Sequence, residues 1–205
     1  MARPSQDPQI RITEILDTAE NLFTIKGYYG TTISDIAKDM GVTQGMFYYY
    51  FKSKEEILEA LLNRHVSYCV TKIRAMACSN SLTPPEKMGL MFSIVLKDTY
   101  SNKDSFLTTV YDERNLHIKD KIARQSKLLL TPWGLKIIEE GNLTKAFSTP
   151  APQTSLSYIF VIMDFLADTP HETNSTEIFN QRLRMAESLI EKALDATEGM
   201  IHISI

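Results

Sequence analysis

Residues 31–54 read TTISDIAKDMGVTQGMFYYYFKSK, which is the pattern of two short helices joined by a glycine turn. Thr32 precedes Asp35 by three residues, which is the spacing of a capping box, so the first helix is predicted to begin after Thr32. Gly41 supplies the left-handed backbone at which helices commonly end, and Thr43 is placed to cap the second helix. The order and spacing of these signals predict a helix-turn-helix.

The side chains of this stretch agree with two crossed helices. Ala37 lies four residues before Gly41, where closely packed helices need a small side chain. Apolar residues occupy the other inward positions, which are Ile33, Ile36, Met40, Val42, Phe47 and Tyr50. The outward positions hold hydrogen-bonding groups and no acid, and they are Thr43, Gln44, Gly45, Tyr48, Tyr49 and Lys52. Such a face is suited to a groove of DNA.

Residues 23–58 resemble the amino-terminal domain of the TetR family of bacterial transcriptional regulators, and they read FTIKGYYGTTISDIAKDMGVTQGMFYYYFKSKEEIL. The resemblance extends from about Ile10 to His65, and the later residues resemble the family in length and helical texture alone. It implies an all-α protein with a helix-turn-helix DNA-binding domain in residues 1–52 and a helical regulatory domain in residues 53–205. The implied function is ligand-responsive, sequence-specific regulation of transcription, most simply repression, without enzymatic activity.

Each outward residue of the motif has an expected partner on DNA. Gln44 is predicted to read an adenine through both amide groups, and Thr43 to contact a thymine methyl group or a phosphate. The resemblance implies that Tyr48, Tyr49 and Lys54 hold the DNA backbone. The remaining predicted contacts are Thr32, Gly45, Met46 and Lys52, of which Met46 departs from the small residue common at its position.

Net charge and cysteine placement limit the other possibilities. The formal net charge of −3 does not by itself favour nucleic acid, so the placement of Lys52 and Lys54 beside the second helix of the motif matters more. The first residues, MARPSQDPQ, lack the apolar core of a signal peptide, and no apolar run is long enough to span a bilayer. We therefore expect a soluble, cytoplasmic protein, in which Cys69 and Cys78 are reduced thiols.

Helical periodicity continues through the rest of the chain. Capping pairs occur at Ser53 with Glu56 and at Thr83 with Glu86. Pro132 is expected to kink or break its helix, because proline removes a backbone donor and clashes with the preceding turn. The helices are predicted over residues 10–26, 53–77, 85–100, 117–140, 153–167 and 174–197.

The last two predicted helices have the character of a dimer interface. Residues 153–167 are apolar on nearly every face, so this helix must be covered on several sides. A partner's copy of residues 174–197 offers a matching apolar stripe, which predicts a homodimer with four-helix packing and a palindromic operator. The residues assigned to the interface are Tyr158, Ile162, Phe165, Phe179, Leu183, Ala186 and Ile190.

Aromatic and methionine residues of the central helices either form plain core or line a ligand cavity. The family resemblance implies a cavity here, for a small effector that is hydrophobic or aromatic. The predicted lining is Met88, Met91, Phe92, Tyr100, Phe106, Tyr111 and Trp133. A cationic effector could also pair with one of three acids, Asp98, Asp112 and Glu113, although a solvated position is the simpler expectation for each.

Other chemistry finds less support in the sequence. His65 and Cys69 have the spacing of two metal ligands on one helix, but two ligands without a third are weak evidence, so no metal is expected. No phosphate-binding glycine loop or nucleophile elbow is present, and no cofactor is predicted. The alternatives are a DNA-binding regulator controlled by a protein partner or by no effector and, less simply, a helical enzyme or scaffold.

Overall fold

The structure is a computed structural model that describes residues 7–101, 106–173 and 175–205, with the helical backbone alone for residues 98–101. Its described residues form α-helices joined by short loops and contain no β-strand, so the predicted all-α fold class is confirmed. The helices are α1 (Pro8–Lys26), α2 (Ile33–Asp39), α3 (Gln44–Tyr50), α4 (Lys54–Ala77), α5 (Pro84–Ser101), α6 (Leu116–Thr144), α7 (Pro152–Glu172) and α8 (Thr176–Leu194). Two short 3₁₀ helices, Phe106–Tyr111 and Glu113–Asn115, precede α6.

The chain forms two compact units. The first contains the described residues of 1–65 and 104–118, and the second contains those of 66–103 and 119–205. Helix α4 therefore begins in the first unit and ends in the second. We refer to residues 106–118 as the 106–118 segment. This segment belongs to the first unit, although α5 lies between it and α4 in the sequence.

The first unit is built on α1 and the first half of α4. The Asp7 carboxylate accepts the Gln9 N–H at 2.9 Å and caps α1, whose inner face is buried at Ile15, Ala19 and Phe23. From α4 the buried residues include Ile57, Leu58, Leu61 and Leu62. At the surface Arg64 of α4 donates to Asp17 and Glu20 of α1 at 2.6 and 2.5 Å, so two acids of this unit share one basic partner within it.

The second unit has a continuous apolar core to which α5, α6, α7 and α8 all contribute. One polar pair crosses its edge: the buried Lys87 ammonium donates to both carboxylate oxygens of Glu140 at 2.7 Å, so the ammonium has a charged partner. The fully buried side chains of the core include Met88, Met91, Phe92, Leu96, Ile137, Ile138, Ile159, Leu166, Ile190 and Leu194.

The predicted break at Pro132 is wrong, because α6 continues through it to Thr144. Pro132 is exposed, while Leu130, Ile137 and Ile138 on either side of it are buried in the core. Packing of these neighbours outweighs the lost backbone hydrogen bond, which costs about 3 kcal/mol in a helix interior. Gly141 also lies inside α6, where an added Cβ would stand 1.9 Å from the Phe147 ring. That glycine serves close packing and not helix termination.

The last two helices differ from the prediction at their ends. Helix α7 extends five residues beyond the predicted end at 167, to Glu172. The hydroxyl of Ser175 accepts the Ile178 N–H at 3.3 Å and caps α8, whereas Asn174, the predicted start, lies outside the described residues. Asp195, in the left-handed conformation, ends α8 before the predicted 197.

Two further observations concern thiols and hydropathy. Cys69 is buried and Cys78 is exposed, and neither thiol is joined in a disulfide, as expected from their spacing. Among the helices of the described ranges, none combines the length and the apolar character needed to cross a membrane.

Candidate functional site

A reciprocal capping box starts α2. The Thr32 hydroxyl accepts the Asp35 N–H at 3.1 Å, and the Asp35 carboxylate accepts the Thr32 N–H at 2.9 Å and its O–H at 2.6 Å. These hydrogen bonds from Thr32 hold the pKa of Asp35 below its ordinary value. The predicted start of α2 is thereby confirmed, and Thr32 itself is exposed beside it.

The turn between α2 and α3 is a Schellman motif. The Gly41 N–H donates to the Lys38 carbonyl at 3.1 Å, and the Val42 N–H donates to the Ala37 carbonyl at 2.9 Å. Gly41 has φ +64°, which an L side chain rarely adopts. This is the turn that the glycine predicts, and it redirects the chain into α3.

Helix α3 presents one side to its own unit and the other to solvent. Thr43 caps it by accepting the Met46 N–H at 3.3 Å, and Phe47 is fully buried. On the other side Tyr48 is 52% exposed and Tyr49 is 81% exposed. The remaining predicted residues of this face, Gln44, Gly45 and Lys52, are exposed, and Met46 is half-buried. The structure therefore brings eight of the nine predicted DNA contacts to the surface around α3 and the start of α2.

Gly45 has no neighbour that requires a glycine. An added Cβ would come no closer than 4.0 Å to the Thr43 hydroxyl, and the backbone of Gly45 has no positive φ. Glycine inside a helix costs about 1 kcal/mol relative to alanine. The fold gains nothing visible in return, so the open surface at Gly45 is a place where another molecule can approach the backbone closely.

Lys54, the ninth predicted contact, has a structural role that the sequence did not indicate. Its ammonium donates to the carbonyls of Tyr28 and Thr31 at 2.7 and 2.8 Å and lies 4.3 Å from the centroid of the Tyr28 ring. Burial lowers the pKa of this ammonium. Lys54 thus ties the loop after α1 to the start of α4, and its contact with a phosphate stays a prediction.

The same loop is held in place by the hydrogen bonds of a buried hydroxyl group. Thr31 is inaccessible to solvent, and its hydroxyl donates towards the carbonyls of Gly27 and Leu22 at 2.9 and 3.2 Å. Tyr28 is buried against Phe23, with ring centroids 5.1 Å apart. Burial, and the charge of nearby Glu55, raise the pKa of Tyr28 to about 12. The loop that leads into α2 is therefore held in one conformation by its own unit.

The 106–118 segment contacts this loop and the start of α4 through side-chain hydrogen bonds. Asn115 is buried and donates from its amide nitrogen to the Tyr29 hydroxyl at 2.8 Å and to the Thr109 carbonyl at 2.9 Å. A nitrogen of His117 lies 2.8 Å from a carboxylate oxygen of Glu55 in α4. Asn115 and Tyr29 are 86 residues apart in the sequence, and His117 and Glu55 are 62 apart, so no local pattern could have revealed these two contacts.

The residues predicted to line an effector cavity divide between the two units. Met88, Met91 and Phe92 are fully buried in the core of the second unit, and Phe106 and Tyr111 belong to the first unit. Trp133 packs against the second core and lies 5.6 Å from the guanidinium carbon of Arg74. The side chains of Asp98 and Tyr100 lie outside the described residues. A single lining made of all seven residues stays a prediction.

Both remaining candidates for pairing with a cation have other surroundings. The Asp112 carboxylate accepts two hydrogen bonds from the Arg114 guanidinium at 2.8 Å, which lower the pKa of that carboxyl group. Glu113 is exposed. The acids therefore stay at the surface, which is the simpler of the two expectations.

A cleft of about 420 Å³ lies between α6 and α7 in the second unit. Its apolar wall consists of Leu135, Leu156 and Phe160, and its polar lining consists of Lys127, Thr131, Gln153 and Ser157. Lys127 forms an ion pair with Asp164 of α7 at one side of this lining. None of the predicted effector-binding residues whose side chains the structure describes lines this cleft.

The predicted dimer residues divide into exposed and buried groups. Tyr158 and Phe165 of α7 are exposed, and Ile162, Phe179 and Leu183 are half-buried. Ala186 and Ile190 are 3% and 0% exposed within their own chain, so assigning them to an interface is wrong. Ala186 and Ile190 lie on the side of α8 that packs into the core, whereas Met185 and Leu189 lie on the side that faces solvent. The exposed apolar side chains of these two helices include Tyr158, Val161, Phe165, Ile178, Met185 and Leu189.

His65 and Cys69, the pair with the spacing of two metal ligands, both lie on α4. Within the described ranges no group of three or more histidine, cysteine or acidic side chains is placed to hold an ion. A structural position for the pair on α4 was the simpler expectation.

Comparison with known proteins agrees with this geometry. The family described as bacterial regulatory proteins, tetR family, matches residues 15–61, which contain the motif. The fatty acid metabolism regulator protein of Bacillus subtilis is 25% identical over 191 residues, covering 92% of this chain and 94% of that protein. The regulator EthR of Mycobacterium tuberculosis is 38% identical over 87 residues, which are 42% of this chain and 39% of EthR, so this match spans about two fifths of that relative.

A solved structure supports the fold over most of the chain. The structure of the transcriptional regulator FadR from Bacillus subtilis, in complex with stearoyl-CoA, aligns with a TM-score of 0.63 and 21% sequence identity. The alignment covers 91% of this chain and 99% of that chain. The capped α2, the Schellman turn and the exposed face of α3 lie in the region that the family model matches. Residues 15–61 therefore match the DNA-binding domain of the TetR family, and the similar regulators and the shared fold support a transcriptional regulator of this family.

Proposed function

We propose that this regulator is a repressor that binds a palindromic operator as a homodimer and is released by a small hydrophobic effector. The observation that carries the DNA-binding part is the exposed face of α3, where Gln44, Tyr48 and Tyr49 project to solvent from a helix fixed on its other side by Phe47. A rigid helix with an exposed amide and no acid at its beginning is what reading of the major groove requires.

The residues of this face divide between base reading and backbone contact. Gln44 has an amide that matches the N6 and N7 groups of adenine. The Thr43 hydroxyl already accepts the Met46 N–H, and its proton remains available to a phosphate oxygen. Tyr48, Tyr49 and Lys52 supply hydroxyls and an amine to the DNA backbone. Because basic residues are few here, the hydroxyls carry much of the backbone contact.

The experiment that tests base reading compares two single substitutions on a panel of operator variants. Gln44→Ala is expected to weaken binding by about 1–3 kcal/mol at one base pair in each half-site and to relax preference there. Lys52→Ala, the matched control, is expected to weaken binding to all sequences alike. It should also reduce the slope of log affinity against log salt concentration by about one, which corresponds to the loss of one phosphate contact. An unchanged affinity and base preference in Gln44→Ala would remove this assignment.

The dimer is supported by the outer face of α7 and α8. Its apolar residues are spaced three and four residues apart on α7 and seven and four residues apart on α8, which is close to the period of one helical face. The guanidinium carbon of Arg182 lies 4.6 Å from the Phe165 ring centroid. A second copy can cover this face in an isologous contact. Two headpieces then reach half-sites about one helical turn, roughly 10 base pairs, or slightly more apart.

The effector is supported by the cleft between α6 and α7 and by one relative. The cleft volume of about 420 Å³ suits a small molecule, and its wall is apolar with hydroxyl and amide groups at the edge. The FadR structure that resembles this chain holds stearoyl-CoA. An apolar or acyl effector is therefore the class that we favour. Weakening DNA binding a hundredfold needs about 2.7 kcal/mol of differential affinity between the two conformations.

A thermal-shift screen with and without operator DNA tests this part. A fatty acyl-CoA that raises the melting temperature of the free protein and releases DNA would support an inducer. A ligand that stabilises the DNA complex would reverse the sign and make the protein depend on a corepressor. No response to acyl chains or to other apolar and aromatic compounds would favour the alternative, a regulator controlled by a protein partner or by no effector.

A further inference from the structure

The last residues of the chain fold back into the second unit after α8. Gly199, with φ +78°, follows the end of the helix, and burial then alternates from residue to residue. Ile201 and Ile203 are buried in the core that contains Met88 and Phe92, whereas His202 is exposed. This alternation is that of an extended chain with one apolar face. We call residues 200–204 the tail.

The backbone of the tail is bound by side chains of two helices. A Glu191 carboxylate oxygen accepts the N–H groups of Met200 and Ile201 at 2.8 and 2.9 Å. Glu187, one turn earlier on α8, accepts the Ile203 N–H at 2.8 Å. Glu191 is buried, so its charge is stabilised by these N–H donors.

Helix α5 supplies the opposite wall, and its shape fits the tail. The Ser93 hydroxyl accepts the Ser204 N–H at 3.0 Å and donates to the Gly89 carbonyl at 3.0 Å, which orients its lone pairs towards the tail. A Cβ at Gly89 would stand 2.1 Å from the His202 carbonyl oxygen. The tail backbone therefore approaches α5 as closely as a glycine allows.

We propose that the surface formed by Gly89, Ser93, Glu187 and Glu191 is a peptide-binding groove, and that the tail is its detachable intrachain ligand. The groove selects an extended peptide with β-branched apolar side chains at alternate positions and free N–H groups opposite the two glutamates. The groove binds the backbone of the tail through its own side chains. The tail can therefore leave without breaking any hydrogen bond of the α5 or α8 backbone. Because the contacts of the tail backbone are made by side chains, local release of the tail leaves both helices intact.

Hydrogen exchange of the full chain tests detachment directly. The amides of Ile201, Ile203 and Ser204 are expected to be protected, yet to exchange at least about tenfold faster than those of Ile190 and Leu194 in α8. Their exchange should proceed through an opening that depends little on denaturant, because little surface is exposed. Exchange of tail and α8 amides at one rate with one denaturant dependence would show that the tail is an inseparable part of the core, and would overturn the proposal.

A full-length variant with Ile201→Asp and Ile203→Asp tests the groove itself. Its tail should be released, and the free peptide Met-Ile-His-Ile-Ser-Ile should then bind in a saturable manner and raise the melting temperature. The same peptide with aspartate at both isoleucine positions is the control and should not bind. Adding Gly89→Ala should abolish rescue by the peptide. Failure of the first peptide to bind, whether the variant is folded or unfolded, would contradict a groove that recognises this segment.

Discussion

The guanidinium carbon of Arg114 lies over the Tyr29 ring, 3.5 Å from its centroid. Asp112 holds this guanidinium through two hydrogen bonds, and Asn115 donates to the Tyr29 hydroxyl. Burial is the main cause that raises the pKa of Tyr29, although Arg114 acts in the opposite direction. The 106–118 segment thus holds the ring and the hydroxyl of one residue in the loop that leads into α2. This loop sets the position of the capped helix start at Thr32.

The contacts of Asn115 and Arg114 with Tyr29 predict unequal losses of stability for two substitutions. Asn115→Ala should destabilise the first unit by about 1–3 kcal/mol, because it removes both hydrogen bonds of a buried side chain. Tyr29→Phe, the control, removes one of these bonds and keeps the ring beneath Arg114, so its cost should be about 0.5–1.5 kcal/mol. Urea unfolding of both and of the double variant should show coupling. Strict additivity would mean that the two side chains do not support each other.

Gly45 predicts opposite effects on stability and on DNA binding. Gly45→Ala should leave the fold unchanged or stabilise it by up to about 1 kcal/mol, because the added methyl group meets open space. Operator affinity should fall, since the methyl group projects from the face that approaches the groove. Thermal unfolding and a binding titration measure the two effects. Unchanged affinity would show that DNA does not approach the backbone at this residue.

Val161 predicts dissociation of the dimer without unfolding. It is 60% exposed in one chain, so Val161→Lys should not disturb the core, yet it places a charge in the proposed interface. The dimer should weaken by about 2 kcal/mol or more, roughly thirtyfold. Leu143→Lys on α6, where the side chain is 85% exposed, is the matched control and should remain dimeric. Sedimentation distinguishes the outcomes, and a wild-type monomer at micromolar concentration would exclude the dimer altogether.

Tyr28 predicts a loss of stability at alkaline pH. Its pKa is about 12 in the folded protein and 10.0 ordinarily, so the unfolded chain loses this proton first as the pH rises. The contribution of Tyr28 is therefore complete below pH 10 and is lost between pH 10 and about 12. Tyr28→Phe should decline less steeply across this interval in denaturant unfolding. A parallel decline in both proteins would show that Tyr28 titrates normally.

The sequence alone determined the features that depend on neighbours within one helical turn. Thr32, Gly41 and Thr43 form the predicted cap, turn and second cap, because each bond joins residues three to five apart. The outward face of α3 followed from the same helical period. These signals are local, so they hold wherever the rest of the chain lies.

Tertiary structure decided the features that require knowledge of what covers a surface. Helix α8 has apolar residues over a broad stripe, and only packing shows that Ala186 and Ile190 face the core while Met185 and Leu189 face outward. Likewise, core packing keeps α6 continuous at Pro132. The contact of Asn115 with Tyr29 spans 86 residues, and the tail contacts of Ser204 span 111, so loop closure by the whole fold creates them. Side-chain periodicity specifies which residues share a face, but the burial of that face depends on the elements that pack against it.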